Sequence, residues 1–215
     1  MKILAAALIL TFVSLGASAQ SIGVDFNSDA SAANHDVNDP GNGISPTYSG
    51  KGVLGESFTG INAGGKGVAL SDGVTMDITC SQGDASFRDQ PPADGDGPAA
   101  DLFRDYIQAD HGQSLTITIH GLKPKTAYQV VVYGASTRAG SDQTAISGAV
   151  TGTLTGTNAD GSRVSRTSFV KDANYIQGKA VANDSGDLTF TATSTNGGWP
   201  VVNGFGLAAD STVSK

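Results

Sequence analysis

Apolar and polar residues alternate with a period of two along much of the chain. In Val74-Thr-Met-Asp-Ile-Thr-Cys80, residues 74, 76, 78 and 80 share one face and Thr75, Asp77 and Thr79 the other. Leu115-Thr-Ile-Thr-Ile-His120 and Leu188-Thr-Phe-Thr-Ala-Thr193 repeat the pattern, and Tyr128-Gln-Val-Val-Val-Tyr133 is rich in β-branched and aromatic residues. Shorter runs cover 22–26, 67–70, 149–155, 163–170, 175–181 and 201–207. Between them lie turn signals: Ser71-Asp-Gly73, the Pro124-containing stretch 121–126, Thr157-Asn-Ala-Asp-Gly-Ser162, Asn183-Asp-Ser-Gly186 and Asn196-Gly-Gly198. Nine or ten strands at this spacing predict an all-β sandwich of the jelly-roll kind. One segment, 99–107, follows Pro98 and predicts a short helix of two turns at most. No window carries a long 3.6-residue stripe.

The first nineteen residues read as an address. Lys2 precedes an almost wholly apolar run over 3–15, and Ala17 and Ala19 fit a small-x-small cleavage rule. That run is shorter than the ~20 residues needed to span hydrocarbon. A signal peptide over 1–19 and one β-sandwich domain over 20–215 are therefore expected, with export to the periplasm, the cell surface or the medium. No membrane span is read in the mature chain.

Composition sharpens this picture. Charged residues make up 15 % of the chain, against a usual ~25 %. Of the 20 acids only Glu56 is a glutamate. Asp and the 29 glycines favour turns, whereas Glu favours helices. The net charge of −7, with 13 basic residues scattered along the chain, excludes the basic patch of a nucleic-acid binder. The single cysteine, Cys80, cannot form an intrachain disulfide and reads as a small buried hydrophobe.

A resemblance enters with the order of several motifs. Asp101-Leu-Phe-Arg-Asp-Tyr-Ile107 is followed by Leu115 to Gly134 with its Gly-Leu-Lys-Pro-Lys-Thr-Ala-Tyr element. Then come Asn174-Tyr-Ile, Asp184-Ser-Gly-Asp-Leu-Thr-Phe190 and Val202-Asn-Gly-Phe-Gly-Leu207. Tyr48-Ser-Gly-Lys-Gly52 and the stretch 56–62 belong to the same pattern. Together they resemble secreted bacterial exoproteins of the PEP-CTERM type, whose domains look like galactose-binding-like, carbohydrate-binding-module-like β-sandwiches. The chain departs from that pattern in carrying no Pro-Glu-Pro sorting tail, so a freely exported form is expected. The resemblance implies the fold, and sugar binding by analogy only.

The candidate ligand residues follow from chemistry. A sugar stacks its C–H face on a flat ring while polar side chains fix its hydroxyls. Trp199, beside Gly197-Gly198, and the loop-associated Tyr48 and Tyr106 are the stacking candidates; Arg104 and Asn203 are the hydrogen-bonding ones. Tyr128, Tyr133, Phe190 and Phe205 read as core. Asp89, Asp94, Asp96 and Asp101 fall within thirteen residues and could wrap a structural Ca²⁺, an ion that takes hard oxygen ligands; galactose-binding-like modules often hold one. No catalytic residues are marked. The three histidines lack metal spacing, no Gly-x-Ser-x-Gly elbow occurs, and no carboxylate pair stands out. The reading is a non-catalytic binder of extracellular polysaccharide. A structural exoprotein with no small ligand and a polysaccharide-degrading enzyme with an unrecognised site are its alternatives.

Overall fold

A computed structural model describes residues 21–27, 35–36, 47–62, 64–71, 73–83, 85–89, 99–135, 143–164 and 168–210. The leader 1–19 and Asp94 and Asp96 lie outside the described residues, and the side chain of Asp89 does too. The elements in chain order are β1 (Ser21–Phe26), β2 (His35–Asp36), β3 (Phe58–Ile61), β4 (Val68–Ser71), β5 (Val74–Cys80), β6 (Ser86–Asp89), α1 (Ala100–Arg104) and β7 (Asp105–Gln108). After these come β8 (Ser114–His120), β9 (Ala127–Tyr133), β10 (Thr144–Gly148), β11 (Gly152–Leu154), β12 (Tyr175–Val181), β13 (Leu188–Ser194), β14 (Val201–Val202) and β15 (Gly204–Ala209). The all-β sandwich that the alternation predicts is what the chain forms.

Three sheets carry the fold. One has five strands in the order β12-β9-β15-β1-β3, one has six in the order β11-β10-β13-β8-β5-β4, and a small one joins β14-β7-β6-β2. The first two face each other. Val24, Phe26, Val130, Val132, Phe205 and Leu207 meet Met76, Ile78, Leu115, Ile117, Ile119 and Phe190 in the main core. Burying such side chains contributes about 1.5–3 kcal/mol each. The outer face of the six-stranded sheet is Thr-rich, and Thr116 pairs with Thr191 and Thr118 with Thr189 through their hydroxyls at 3.0 and 3.1 Å.

The five-stranded sheet is covered on both faces, and this explains why β1 and most of β9 are buried without alternation. Its second face carries Val131 and Tyr133 of β9, which pack with Tyr48, Leu102, Phe103 and Ala173 in a second core. The cover consists of the segment 47–57, α1, Val164 and residues 168–175. Gly23 and Gly206 make room for it. A Cβ on Gly23 would stand 2.4 Å from Ser57 O, and one on Gly206 only 2.1 Å from Glu56 Oε1.

Two local expectations change. The predicted helix 99–107 is one turn, and Asp105–Gln108 leaves it to become β7, paired with β6 and β14. Tertiary ladders outweigh five residues' worth of helix propensity. Cys80 is half-buried, at the last position of β5 where the core thins. The turn at Gly73 sits at φ 73°, in the region glycine favours, as the Asp-Gly signal implied.

Candidate functional site

Two clusters of aromatic and polar side chains are candidates, and they differ in access. The first lies in the second core. Tyr48, Phe58, Phe103, Tyr133, Phe169 and Tyr175 form a continuous ring-contact network, with Tyr133 and Phe169 5.2 Å apart and Tyr48 and Phe58 5.4 Å apart. Most pairs are edge-to-face or tilted, the geometry that sets a ring's positive edge against a negative face. Glu56 enters this cluster from the covering segment. Tyr133 Oη donates to Glu56 Oε1 at 2.7 Å, Leu54 N donates to Oε2 at 2.8 Å, and Val53 N donates to Tyr133 Oη at 2.7 Å. Both carboxylate oxygens are thus occupied, and Glu56 is 1 % exposed. Burial and the neighbouring Glu56 hold the Tyr133 hydroxyl far above its ordinary range, so it serves as a donor. This combination of a carboxylate and rings resembles a sugar site in composition, but its carboxylate is buried and fully engaged.

Beside it, Asp25 projects from the same face of β1 into the covering layer. Tyr48 N donates to Asp25 Oδ2 at 2.8 Å. Burial, reinforced by Asp105 and Asp101, pushes the Asp25 carboxyl up to about 8; the Tyr48 hydrogen bond opposes it only in part.

The second cluster lies at one end of the sandwich, where loops meet. Trp199 is half-buried, and its ring stands edge-to-face against the exposed His111 with centroids 4.2 Å apart. The loops around it carry amides and hydroxyls. Ser81 Oγ donates to Gln113 Oε1 at 2.6 Å, Thr195 Oγ1 donates to Gln143 Oε1 at 3.3 Å, and Ser194 Oγ donates to Asn196 Oδ1 at 3.1 Å. Gln113 Nε2 donates to Gln82 Oε1 at 3.4 Å. The turn from Asp110 to Gln113 is closed by Gln113 N donating to Asp110 O, which sets His111 beside Trp199. The result is a partly accessible ring pair beside amide and hydroxyl donors and acceptors, with the exposed acid Asp110 in the same turn as His111.

The residues singled out from the sequence scatter over these two regions. Trp199 is accessible, as a stacking residue must be. Tyr48 and Tyr106 are 8 % and 5 % exposed, so neither presents a face to a sugar. Tyr48 is pinned inward by its backbone bond to Asp25, and Tyr106 by the β6–β7 pairing opposite Arg88. Asn203 is fully buried and clamps backbone: Ala135 N donates to its Oδ1 at 2.7 Å, and its Nδ2 donates to Asp105 O at 2.6 Å. These three change from ligand candidates to structural residues. Arg104 is half-buried in the last turn of α1. Of the acidic quartet, Asp101 is half-buried on α1; among the described residues no three His, Cys, Asp or Glu side chains form a metal-holding group. His120, on the polar face of β8, is held between carboxylates, with Nδ1 2.9 Å from Asp187 Oδ1 and Nε2 3.6 Å from Asp77 Oδ2. His111, Gln82, Gln113 and Gln143 were not singled out from the sequence. No motif marks them, because loops far apart in the chain bring them together.

A shallow groove of about 410 Å³ runs beside the β12 edge, lined by Lys179, Val181, Asn183 and Asp187 among others. No aromatic ring lines it, so it lacks the stacking platform found at Trp199.

No protein-family model matches the sequence, and neither does any curated protein. Solved structures to which this chain is similar include a plant receptor-like kinase, ANX2, at 9 % identity over 88 % of this chain, with a TM-score of 0.47. This chain spans 42 % of that one. A family 35 carbohydrate-binding module from Clostridium thermocellum matches at 14 % identity over 62 % of this chain and 90 % of its own, with a TM-score of 0.31. A carbohydrate-binding module of Cellvibrio mixtus lichenase 5A, solved with cellotriose, matches at 16 % identity over 65 % and 89 %, with a TM-score of 0.28.

Proposed function

We propose that this chain is an exported, non-catalytic binding module for extracellular polysaccharide, and that the ligand lies against Trp199 at the loop end of the sandwich. The observation that carries the reading is the accessible Trp199–His111 pair set among uncharged amides and hydroxyls. A pyranose has a C–H face that prefers an aromatic ring and an equatorial girdle of hydroxyls that both donate and accept. Gln and Asn amides match such hydroxyls because each also offers both functions. Trp199 is the platform, His111 orients it, and Gln113, Gln143 and Asn196 read the hydroxyls. The other carboxylate-bearing aromatic cluster supports no hydrolytic role, since both Glu56 oxygens are engaged beneath the covering segment.

The test is a glycan array followed by isothermal titration of neutral and acidic polysaccharides. Binding in the micromolar to millimolar range is expected, with Trp199→Ala weakening it about tenfold or more, the loss of roughly 1.4 kcal/mol of ring contact. Absence of binding to any polysaccharide at millimolar protein overturns the reading and leaves a structural exoprotein in its place.

A further inference from the structure

We propose that the open edge of β12 is a self-association surface, on which a second copy of this chain adds its own β12 antiparallel across a two-fold axis. β12 stands at one end of the five-stranded sheet. It pairs with β9 on one side and, among the described residues, with no strand on the other. The ladder to β9 is bracketed by Gly134 N donating to Asn174 O and Ala182 N donating to Thr126 O, both at 3.0 Å. Antiparallel bonding alternates along a strand. Ile176, Gly178 and Ala180 therefore direct their backbone groups to β9, and Gln177, Lys179 and Val181 direct theirs to the open side. Such a row of donors and acceptors is a template for another strand.

The symmetry of the edge makes a second copy the occupant. With the axis at Gly178, Gln177 of one copy lies opposite Lys179 of the other, and Val181 opposite Tyr175. The two Gln177–Lys179 pairs supply four backbone bonds, and no like charges meet. An axis at Lys179 would set ammonium against ammonium. An axis at Gln177 would set Lys179 against Tyr175, whose carbonyl oxygen already accepts from Asp172 N at 2.8 Å. A lysine often guards an edge against pairing. Here Lys179 Nζ reaches back to Asp210 Oδ2 at 2.7 Å, beyond the end of β15, so its charge is met within its own sheet. Val181 is 62 % exposed, the one large hydrophobic residue exposed among the described residues. The pairing brings it toward the Tyr175 ring of the other copy, which shares its face of the sheet. The groove of about 410 Å³ beside β12, walled also by Gly148 and Ala149, leaves the edge open to approach. Two short strands bury less than the ~1,200 Å² of stable complexes, so the dimer is weak, with Kd on the order of 100 μM. The proposal does not depend on the polysaccharide reading.

The experiment is sedimentation equilibrium of the full chain from about 10 μM to about 1 mM, a range that spans the expected Kd. The mass should rise from one copy toward two. Gln177→Pro removes an open-side N–H without touching a bond to β9, a place where an edge strand tolerates proline, and should weaken the dimer about tenfold or more. Gln177→Lys, which sets two cations opposite each other, should weaken it about fivefold, and Gln177→Glu should tighten it about threefold at low salt. Thr118→Val, on the other sheet, should dimerise like the wild type. A single-copy mass at every concentration overturns the proposal, as does a dimer that forms equally well in Gln177→Pro and Gln177→Lys. Should Gln177→Pro fail to fold, amide hydrogen exchange of the wild type decides. Slower exchange at Gln177 and Lys179 as concentration rises supports the edge pairing, and exchange there that is indifferent to concentration overturns it.

Discussion

The two aromatic clusters use the same kinds of residue and do opposite things. Around Tyr133, the rings of Tyr48 and Phe103 and the Glu56 carboxylate are buried under the segment 47–57, α1 and residues 168–175, with Phe58, Phe169 and Tyr175 half-buried at their margin. Around Trp199, one ring and an imidazole stand at the surface among amides. Ring content therefore does not distinguish binding from packing here. The distinction lies in the cover. Bare glycines at 23 and 206 let a chain segment lie directly on one sheet face, and once it lies there every polar group beneath must find a partner. At the loop end Trp199 keeps part of its surface, and the side chains of the loops there pair across short spans.

The comparison breaks most visibly under the cover. Gly206→Ala would drive a methyl into Glu56 Oε1 and should lower stability by about 3 kcal/mol, read as a fall in urea midpoint. Glu56→Ala strands the Tyr133 hydroxyl and the Leu54 amide and should cost a similar ~3 kcal/mol in the same assay, with polysaccharide binding retained. If either variant unfolds at the wild-type midpoint, the covered cluster is not a core.

A pH-dependent effect under the same cover concerns Asp25. Its folded carboxyl titrates at about 8, above the ordinary 3.8, so the native state holds a proton that the unfolded chain has released. Its contribution is fully present below pH 4 and is lost as pH rises toward 8, at about 1 kcal/mol per pH unit. Urea midpoints across that range check the slope, and Asp25→Asn should flatten it.

Trp199→Ala sharpens the other half of the comparison. It should leave the midpoint within about 1 kcal/mol of wild type while reducing polysaccharide affinity about tenfold. A large loss of stability instead would place Trp199 with the covered rings. Smallest of all, Thr118→Val on the outer face of the six-stranded sheet removes one exposed hydroxyl contact with Thr189 and should shift stability by less than about 0.5 kcal/mol.

Much of the fold was legible in the alternation. Val74, Met76 and Ile78 are buried as their spacing required, and so are Tyr128, Tyr133, Phe190 and Phe205. The helix read over 99–107 forms only at Ala100–Arg104, since Asp105–Gln108 find sheet partners in remote strands. The candidate site was less legible. Trp199 was marked by its loop position, but His111 reaches it through a ring contact that no spacing records, and the glutamines of neighbouring loops pair with Ser81 and Thr195 across equally remote stretches. Tyr48, Tyr106 and Asn203 misled for the converse reason. Tyr48 lies in the segment folded back over the five-stranded sheet, Tyr106 pairs within β7, and Asn203 clamps backbone between β14 and β15.

By itself, the order of residues determined the class of structure: period-two patterning decides which side chains must leave water, and Asp-, Asn- and Gly-rich breaks decide where the chain can reverse. Only the folded molecule decided that one sheet would be covered twice, that Glu56 and Asp25 would be buried, and that Trp199 would stay accessible. Alternation is a local property of a strand and its two faces. Which face then receives a second layer depends on close approaches between segments dozens of residues apart, and those are set by backbone room and hydrogen-bond partners in three dimensions.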